Sequence, residues 1–237
     1  MASPANSSAL LQVDNDAGGV TFNAGFTFTA GRDAILLLNH FATGQTITGV
    51  TIGGTTAVLD VALNKFLTSD NSARIYRAQN ITGGTSDVVI TVSGGTDHYI
   101  SGSVHEWASG VLVSPAVDTG TSNTATGTSA TPSVSTAATT SQASTVIYAL
   151  LCPSTGVTNN NITGPTGWNV MWTEQNTSAH EGGRGAWIEE TTTGTKTATF
   201  GMTSGDWGCS IIAYKLAGGG GTAVPVFLHN LRQQGIA

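Results

Sequence analysis

Ile35-Leu36-Leu37-Leu38 is an apolar run with a counterpart later in the chain, Val146-Ile147-Tyr148-Ala149-Leu150-Leu151. Each run begins a longer stretch, and the two stretches contain the same turn and strand patterns in the same order. A Gly-rich turn comes first, then an aromatic strand, a Gly-Thr turn, an alternating strand and a closing aromatic strand. The first stretch covers residues 33–108 and the second covers residues 144–217. Such internal similarity predicts a duplicated β unit, which is a scaffold more readily than a catalytic site.

Turn glycines keep a constant spacing between the two stretches. Gly84-Thr85 and Gly194-Thr195 are 110 positions apart, the difference between 194 and 84, and Gly95 and Gly205 repeat that spacing. The sequence therefore predicts two similar repeats with a segment on either side. The predicted parts are an N-terminal segment over 1–19, a first β repeat over 20–117, a second β repeat over 118–217, and a Gly hinge with a C-terminal arm over 218–237.

The hydrophobic period is two almost everywhere, as in Val50-Thr51-Ile52 and in residues 197–202. Short alternating runs rich in β-branched and aromatic residues, separated by Gly, Asn and Asp, are typical of strands and tight turns. One turn of helix is plausible only over Ala62-Leu63-Asn64-Lys65-Phe66. We predict an all-β protein, an antiparallel β-sandwich of jelly-roll or immunoglobulin-like type built from two similar repeats, with a flexible C-terminal arm.

Two segments of unusual composition flank the second repeat. Residues 118–145 are rich in Ser and Thr and could be a linker, but Thr131-Pro132-Ser133-Val134-Ser135-Thr136 alternates, which favours an edge strand. Gly218-Gly219-Gly220-Gly221 predicts a hinge. The apolar tail behind it could fold back on its own domain, but the reach of the hinge favours docking on another subunit. The predicted docking residues are Val226, Phe227, Leu228, Leu231 and Arg232.

Composition limits the classes of partner. Only 9% of the 237 residues are charged, so Ser, Thr, Asn and Gly must cover the surface. The net charge of −6 repels phosphate backbones, which argues against nucleic acid as a partner. The start of the chain has no signal-peptide pattern, and no run of eighteen apolar residues occurs. We expect a soluble protein without a membrane partner that does not enter a secretory pathway.

Candidate reactive groups are few. His105-Glu106 and His180-Glu181 are adjacent pairs, and adjacent residues of a strand point to opposite faces, so neither pair predicts a dyad. Asp14-Asn15-Asp16 has oxygen ligands but lacks the remainder of a calcium loop, and turn chemistry explains it as well. We therefore predict no enzyme activity, no catalytic residues, no cofactor and no metal site.

The two cysteines, Cys152 and Cys209, fall in corresponding apolar strands of the second repeat. They could pair if those strands were neighbours. Two buried thiols in a reducing cytosol are the favoured interpretation.

Aromatic residues recur at strand positions in both repeats. We treat three pairs as equivalent positions of a shared core: Tyr76 with Trp187, Tyr99 with Trp207, and Trp107 with Tyr214. Trp168 and Trp172 lie in a turn region with no partner in the first repeat. These two tryptophans are therefore the candidates for an exposed platform on which a sugar ring could stack.

Several turn and strand motifs follow one another between about residues 33 and 216. In the first half they are Gly49-Val50-Thr51-Ile52-Gly53-Gly54, Arg74-Ile75-Tyr76, Gly83-Gly84-Thr85, Val88-Val89-Ile90-Thr91-Val92-Ser93, Glu106-Trp107-Ala108-Ser109-Gly110-Val111 and Pro115-Ala116-Val117-Asp118. In the second half they are Thr131-Pro132-Ser133-Val134, Gly164-Pro165-Thr166-Gly167-Trp168 and Trp207-Gly208-Cys209-Ser210-Ile211-Ile212-Ala213-Tyr214-Lys215. Their succession resembles a family of β-sandwich modules found in bacteriophage virion proteins and in bacterial and environmental surface proteins. The resemblance implies a non-enzymatic binding or structural module.

Taken with the apolar tail, the resemblance predicts a bacteriophage structural protein. The expected role is a decoration or cement protein of the head, with a tail or fibre component as the next possibility. Its expected partners are capsid or tail subunits and further copies of itself, and its expected location is the virion, assembled in the host cytoplasm. The alternative is a carbohydrate-binding module or adhesin that recognises cell-surface glycans through Trp168 and Trp172.

Overall fold

The computed structural model describes residues 4–14, 20–42, 44–64, 71–94, 98–153, 161–174 and 182–218. These ranges form seventeen strands and contain no helix. Within them there is accordingly no helix long and apolar enough to span a membrane. The all-β, antiparallel sandwich predicted from the sequence is confirmed.

The strands vary in length from 2 to 12 residues. In chain order they are β1 (Asn6–Asp14), β2 (Val20–Asn23), β3 (Asp33–Ala42), β4 (Thr46–Ile52), β5 (Thr55–Thr56), β6 (Val58–Leu63), β7 (Ser72–Ala78), β8 (Asp87–Ser93), β9 (His98–Trp107), β10 (Leu112–Val117), β11 (Asn123–Ser129), β12 (Ser133–Ser135), β13 (Thr145–Pro153), β14 (Asn169–Glu174), β15 (Gly183–Glu190), β16 (Thr197–Thr199) and β17 (Gly205–Leu216).

These strands form two inner and two outer sheets. The first inner sheet has the order β1-β9-β3-β7-β6, and the first outer sheet has the order β2-β8-β4-β5. The second inner sheet has the order β10-β17-β13-β15-β14, with β11 also paired to β17. The second outer sheet pairs β12 with β16, and an isolated bridge joins Thr163 to Gly201 beside it. All of the pairings between strands are antiparallel.

The sheets stack in four layers, because both faces of each inner sheet are covered. On β3, Leu36 and Leu38 face the first outer sheet, whereas Ile35 and Leu37 face the second inner sheet. On β13, Ile147 and Ala149 face the second outer sheet, whereas Tyr148 and Leu150 face the first inner sheet. Burial on both faces explains why these two strands are uninterrupted apolar runs and do not alternate. We call the apolar layer between the two inner sheets the central layer.

The two inner sheets contain their strands in matching order. With β10 and β11 together in the place of β1, the order β1-β9-β3-β7-β6 corresponds to β11-β17-β13-β15-β14. The contact across the central layer is also reciprocal, because β6 packs on β17 and β11 while β14 packs on β9 and β1. A reciprocal contact of this kind is typical of a two-fold interface. That this matching strand order comes from two repeats in the sequence stays a prediction.

Some strands differ from the sequence predictions. β1 lies in the predicted N-terminal segment yet pairs with β9, and β10 lies in the predicted first repeat yet pairs with β17 of the second inner sheet. The helical turn suggested from Ala62 onward is wrong for Ala62 and Leu63, which belong to β6. Within the Ser/Thr-rich connection the predicted strand is present as β12, and the longer β11 was missed because its residues are small and polar.

Glycines with positive φ lie in the turns that lead to and connect the strands of the first outer sheet. Gly83 has a φ of +74°, and a Cβ at this position would lie 2.5 Å from the backbone nitrogen of Ala30. Gly53 has a φ of +55°, and a Cβ there would lie 2.7 Å from Cβ of Phe28. Both positions therefore need glycine for conformation and for space.

Candidate functional site

The first candidate site is the end of β17 and the two residues after it, 216–218, which we call the C-terminal exit. The predicted docking residues follow it in the sequence. Val226, Phe227, Leu228, Leu231 and Arg232 lie outside the described residues. The chain before them is anchored: the Leu216 N–H donates to the carbonyl of Ser144 at 3.0 Å, and the Ala217 N–H donates to the carbonyl of Val111 at 2.8 Å. Backbone hydrogen bonds thus fix the position of the chain at the end of β17.

The exit lies beside the edge strand β6. The Tyr214 hydroxyl, near the end of β17, donates to Asp60 Oδ2 at 2.9 Å. The same carboxylate accepts from Arg77 Nε at 3.0 Å and from Arg77 Nη2 at 3.2 Å. Burial raises the pKa of the Tyr214 hydroxyl well above its ordinary value. The hydroxyl therefore stays protonated and can donate this hydrogen bond. This network ties the last strand of the second half to β6 of the first half.

The tryptophans proposed as a sugar platform lie in different environments. Trp168 is half-buried and packs against the core between the second inner and outer sheets. Trp172 is only 4% exposed and packs in the central layer. The prediction that Trp172 belongs to an exposed platform is therefore wrong.

A bulge in β14 explains the position of Trp172. Val170 is opposite Ala186 and Trp172 is opposite Gly185, so one extra residue lies between them and turns the indole inward. The indole then covers two residues of β15 that have no side chains. A Cβ at Gly183 or at Gly185 would lie 2.9 Å from an atom of the Trp172 ring. The alternation of glycines in Gly183-Arg184-Gly185 was the signal in the sequence for this packing.

The three aromatic pairs proposed as equivalent are not all equivalent. Trp107 and Tyr214 both lie in the central layer. Tyr76 packs toward the first outer sheet, however, while Trp187 packs against the central layer. Tyr99 lies on the same face of β9 as His105, which is the face toward the central layer, whereas Trp207 faces the second outer sheet. Two of the three pairings are therefore wrong, because a shift of one residue exchanges the faces of a strand.

His105 and Glu106 point to opposite faces of β9, as the strand geometry predicted. The His105 ring packs edge-on against Tyr148 and Trp187 in the central layer. Glu106 accepts on the other face from Arg32 Nη1 at 2.9 Å and from the Thr29 N–H at 2.6 Å. His180 and Glu181 lie outside the described residues.

His105 belongs to a buried polar cluster that sequence reasoning missed. Trp107 Nε1 donates to the Tyr148 hydroxyl at 2.8 Å, and His105 Nδ1 lies 3.1 Å from the same oxygen. Since the indole can only donate, the Tyr148 hydroxyl can accept from Trp107 and donate to a neutral His105. Burial supports this assignment, because it lowers the pKa of His105 from 6.5 to about 3. Tyr148 lies 43 positions from His105 and 41 positions from Trp107, and no local spacing indicates this contact.

The cysteines confirm the prediction of two buried thiols. Neither cysteine is in a disulfide, and both are buried. Cys152 faces the central layer and Cys209 faces the second outer sheet. Burial raises the pKa of the Cys209 thiol, which keeps it in the unreactive protonated form.

A metal site was considered at Asp14-Asn15-Asp16, of which Asn15 and Asp16 lie outside the described residues. Among the residues that are described, no group of three or more His, Cys, Asp or Glu could hold a metal ion. The acidic side chains near the sheet ends bind protein groups; Asp118, for example, accepts from the Ser141 N–H at 2.7 Å.

Comparisons of the chain with protein-family models, curated proteins and solved structures found no match. The resemblance to virion and surface modules therefore stays a prediction from the sequence.

Proposed function

We propose that this chain is a non-enzymatic structural protein of a bacteriophage virion, most specifically a decoration or cement protein of the head. The observation that carries the proposal is the exit of the chain from a well-anchored double sandwich. Backbone hydrogen bonds hold Leu216 and Ala217, and the sequence continues with four glycines and an apolar run. A compact body with a tethered apolar arm is suited to docking on the subunits of a particle.

The body has the properties of a rigid spacer. Its two halves share the central layer, in which Trp107, Tyr148 and Tyr214 are fully buried. Separation of the halves would expose these rings to water, and burial of large side chains of this kind contributes about 1.5–3 kcal/mol each. The central layer therefore opposes separation of the halves, which suits a protein clamped on a shell.

The chain is poor in charged residues, and its second outer sheet presents hydroxyl groups. On the second outer sheet, Ser133 pairs with Thr199 at 3.1 Å and Ser135 pairs with Thr197 at 2.7 Å through their hydroxyls. Few charges need to be desolvated when neighbouring subunits cover such a surface. On a symmetric particle, many copies would sum weak contacts of this kind into strong binding. A tail or fibre component is the second location that the same body and arm would suit.

The test is incorporation into particles. Density-purified phage particles from a culture that carries the gene are analysed by mass spectrometry, and the protein should be present in many copies. Stripped particles are then incubated with the purified full chain or with a chain that ends at Ala217. We expect the full chain to bind to saturation and the shortened chain, checked for its fold by circular dichroism, to lose incorporation. Absence from purified particles would overturn the virion role, and normal occupancy by the shortened chain would overturn the role of the arm.

A glycan-binding role is the second candidate, and one observation favours it. Trp168 is half-buried in a turn whose neighbours Gly167 and Asn169 are exposed. A glycan array tests it with the wild type, Trp168→Ala, and Val170→Ala as a control on the same exposed surface. A signal lost only in Trp168→Ala supports glycan binding, and no signal with the wild type removes this candidate.

A further inference from the structure

The large apolar side chains that are exposed in the described residues all lie on two edge strands. Val58 is 54% exposed and Leu59 is 43% exposed on β6, and Val170 is 50% exposed on β14. These strands occupy corresponding edges of the two inner sheets. Within the described ranges, β6 pairs only with β7 and β14 pairs only with β15. An exposed apolar edge invites another strand, and native proteins usually cover or charge such edges.

The C-terminal exit distinguishes the two edges. Tyr214 bonds to Asp60, which is the neighbour of Leu59 on β6, and the chain leaves the fold three residues later at Ala217. The β14 edge packs on β9 and β1, at the other side of the central layer. The residues that follow Ala217 therefore start next to β6 and far from the corresponding edge.

Length and composition of the arm fit the β6 edge. Residues 218–223 separate Ala217 from Val224, and six residues span up to about 20 Å when extended. Val224, Val226 and Leu228 alternate with Pro225 and Phe227. A proline is tolerated in an edge strand, since it lacks only a donor that can face solvent. The run can therefore pair with an edge and place apolar side chains on both of its faces.

We propose that residues 224–228 of the same chain add to the free edge of β6 in the unassembled protein and cover Val58 and Leu59. This is strand addition to an exposed sheet edge, with backbone hydrogen bonds for affinity and alternate side chains for specificity. A short flexible tether gives its end a local concentration of about millimolar, so at micromolar protein the arm of the same chain outcompetes that of a neighbour. The inference goes beyond the virion role, because it concerns the protein before any assembly.

Hydrogen–deuterium exchange on the full chain at micromolar concentration tests this proposal. The wild type is compared with a Val58→Lys, Leu59→Lys double variant and with Val170→Lys as the matched control on the corresponding edge. We expect the arm amides of the wild type and of the control to exchange at least about tenfold more slowly than in a free peptide of the same sequence. In the double variant they should exchange at the rate of the free peptide.

A second variant keeps the test decisive if the double variant fails to fold. Phe227→Asp changes only the arm, and it should release the arm amides and speed exchange in β6 while β13 stays protected. Unprotected arm amides in the wild type, or equal protection in wild type and double variant, would overturn the proposal. Protection that rises with protein concentration together with a dimer mass in light scattering would also overturn it, in favour of a neighbour's arm. None of these outcomes depends on incorporation into particles, so failure here is distinct from failure of the virion role.

Discussion

The two halves of this molecule have corresponding inner sheets but different side chains in the layer that they share. The first half contributes His105 and Trp107 to the central layer, and the second contributes Tyr148, Trp187 and Tyr214. Their outer sheets also differ, since the first has four strands and the second has two strands beside a single bridge.

This difference shows which properties a sheet order depends on. The order of strands is maintained by backbone hydrogen bonds and by apolar burial on both faces of the sheet. Many different apolar side chains can provide that burial. The contact between the halves is more demanding, because two surfaces that pack together must be complementary. The Trp107 indole donates where the Tyr148 hydroxyl accepts, and a tryptophan at both positions could not make a hydrogen bond, because an indole N–H only donates.

The largest effect is expected from a cavity in the central layer, because both halves depend on it. Trp107 is fully buried there, and Trp107→Ala should destabilise the protein by about 3–5 kcal/mol. Urea unfolding followed by circular dichroism should show one transition at lower urea, because both halves lose the same layer. Trp168→Ala, a half-buried position in the second half only, is the control and should cost less. Two separate transitions, of which only one shifts, would show that the halves are independent.

Lowering the pH should weaken the contact through His105. Its pKa is lowered from 6.5 in the unfolded chain to about 3 in the fold, so the unfolded state binds the extra proton between those values. The stability that this group contributes is complete above pH 6.5 and is lost toward pH 3, by up to about 1.4 kcal/mol per pH unit. Urea unfolding from pH 7 to pH 4 measures this slope. The slope should be smaller in His105→Gln, and equal slopes in both proteins would contradict the buried neutral histidine.

Filling the groove under Trp172 should have a moderate effect. A Cβ at Gly183 would collide with Asn39 Nδ2, with the Trp172 ring at 2.9 Å and with the carbonyl of Leu151 at 3.0 Å. Gly183→Ala should therefore cost about 1–3 kcal/mol in thermal or urea unfolding. Gly218→Ala is the matched control, since a Cβ there meets nothing within 4 Å, and it should leave stability unchanged. A neutral Gly183→Ala would mean that Trp172 is not packed on β15.

The smallest effect is expected on the second outer sheet. Ser135 and Thr197 form a hydroxyl pair on its solvent side, and Ser135→Ala should change stability by less than about 0.5 kcal/mol. Val134→Ala, at the neighbouring buried position of the same strand, is the comparison and should cost more. Equal losses of stability in Ser135→Ala and Val134→Ala would show that the Ser135 side of the second outer sheet is buried in the folded protein, as the Val134 side is.

Sequence reasoning recovered the strands better than the candidate site. Alternation and glycine turns predicted most elements, and the strand within residues 131–136 was found despite its polar composition. The platform prediction failed at Trp172, because one bulge in β14 reversed the face of the residues that follow it. The exposed pair Val58 and Leu59 was missed, since an apolar pair in a strand gives no local sign of which sheet edge it occupies.

Local sequence patterns were enough to establish that this protein is all-β, that glycines occupy its turns, and that the runs around Leu37 and Tyr148 are apolar. These properties depend on residues close together in the chain, where periodicity and turn chemistry act. Three other features became visible only in the folded molecule: β10 pairs with β17, His105 contacts Tyr148, and the C-terminal exit lies beside Asp60. Those contacts join residues far apart in sequence, and they arise because two inner sheets must each bury a second apolar face.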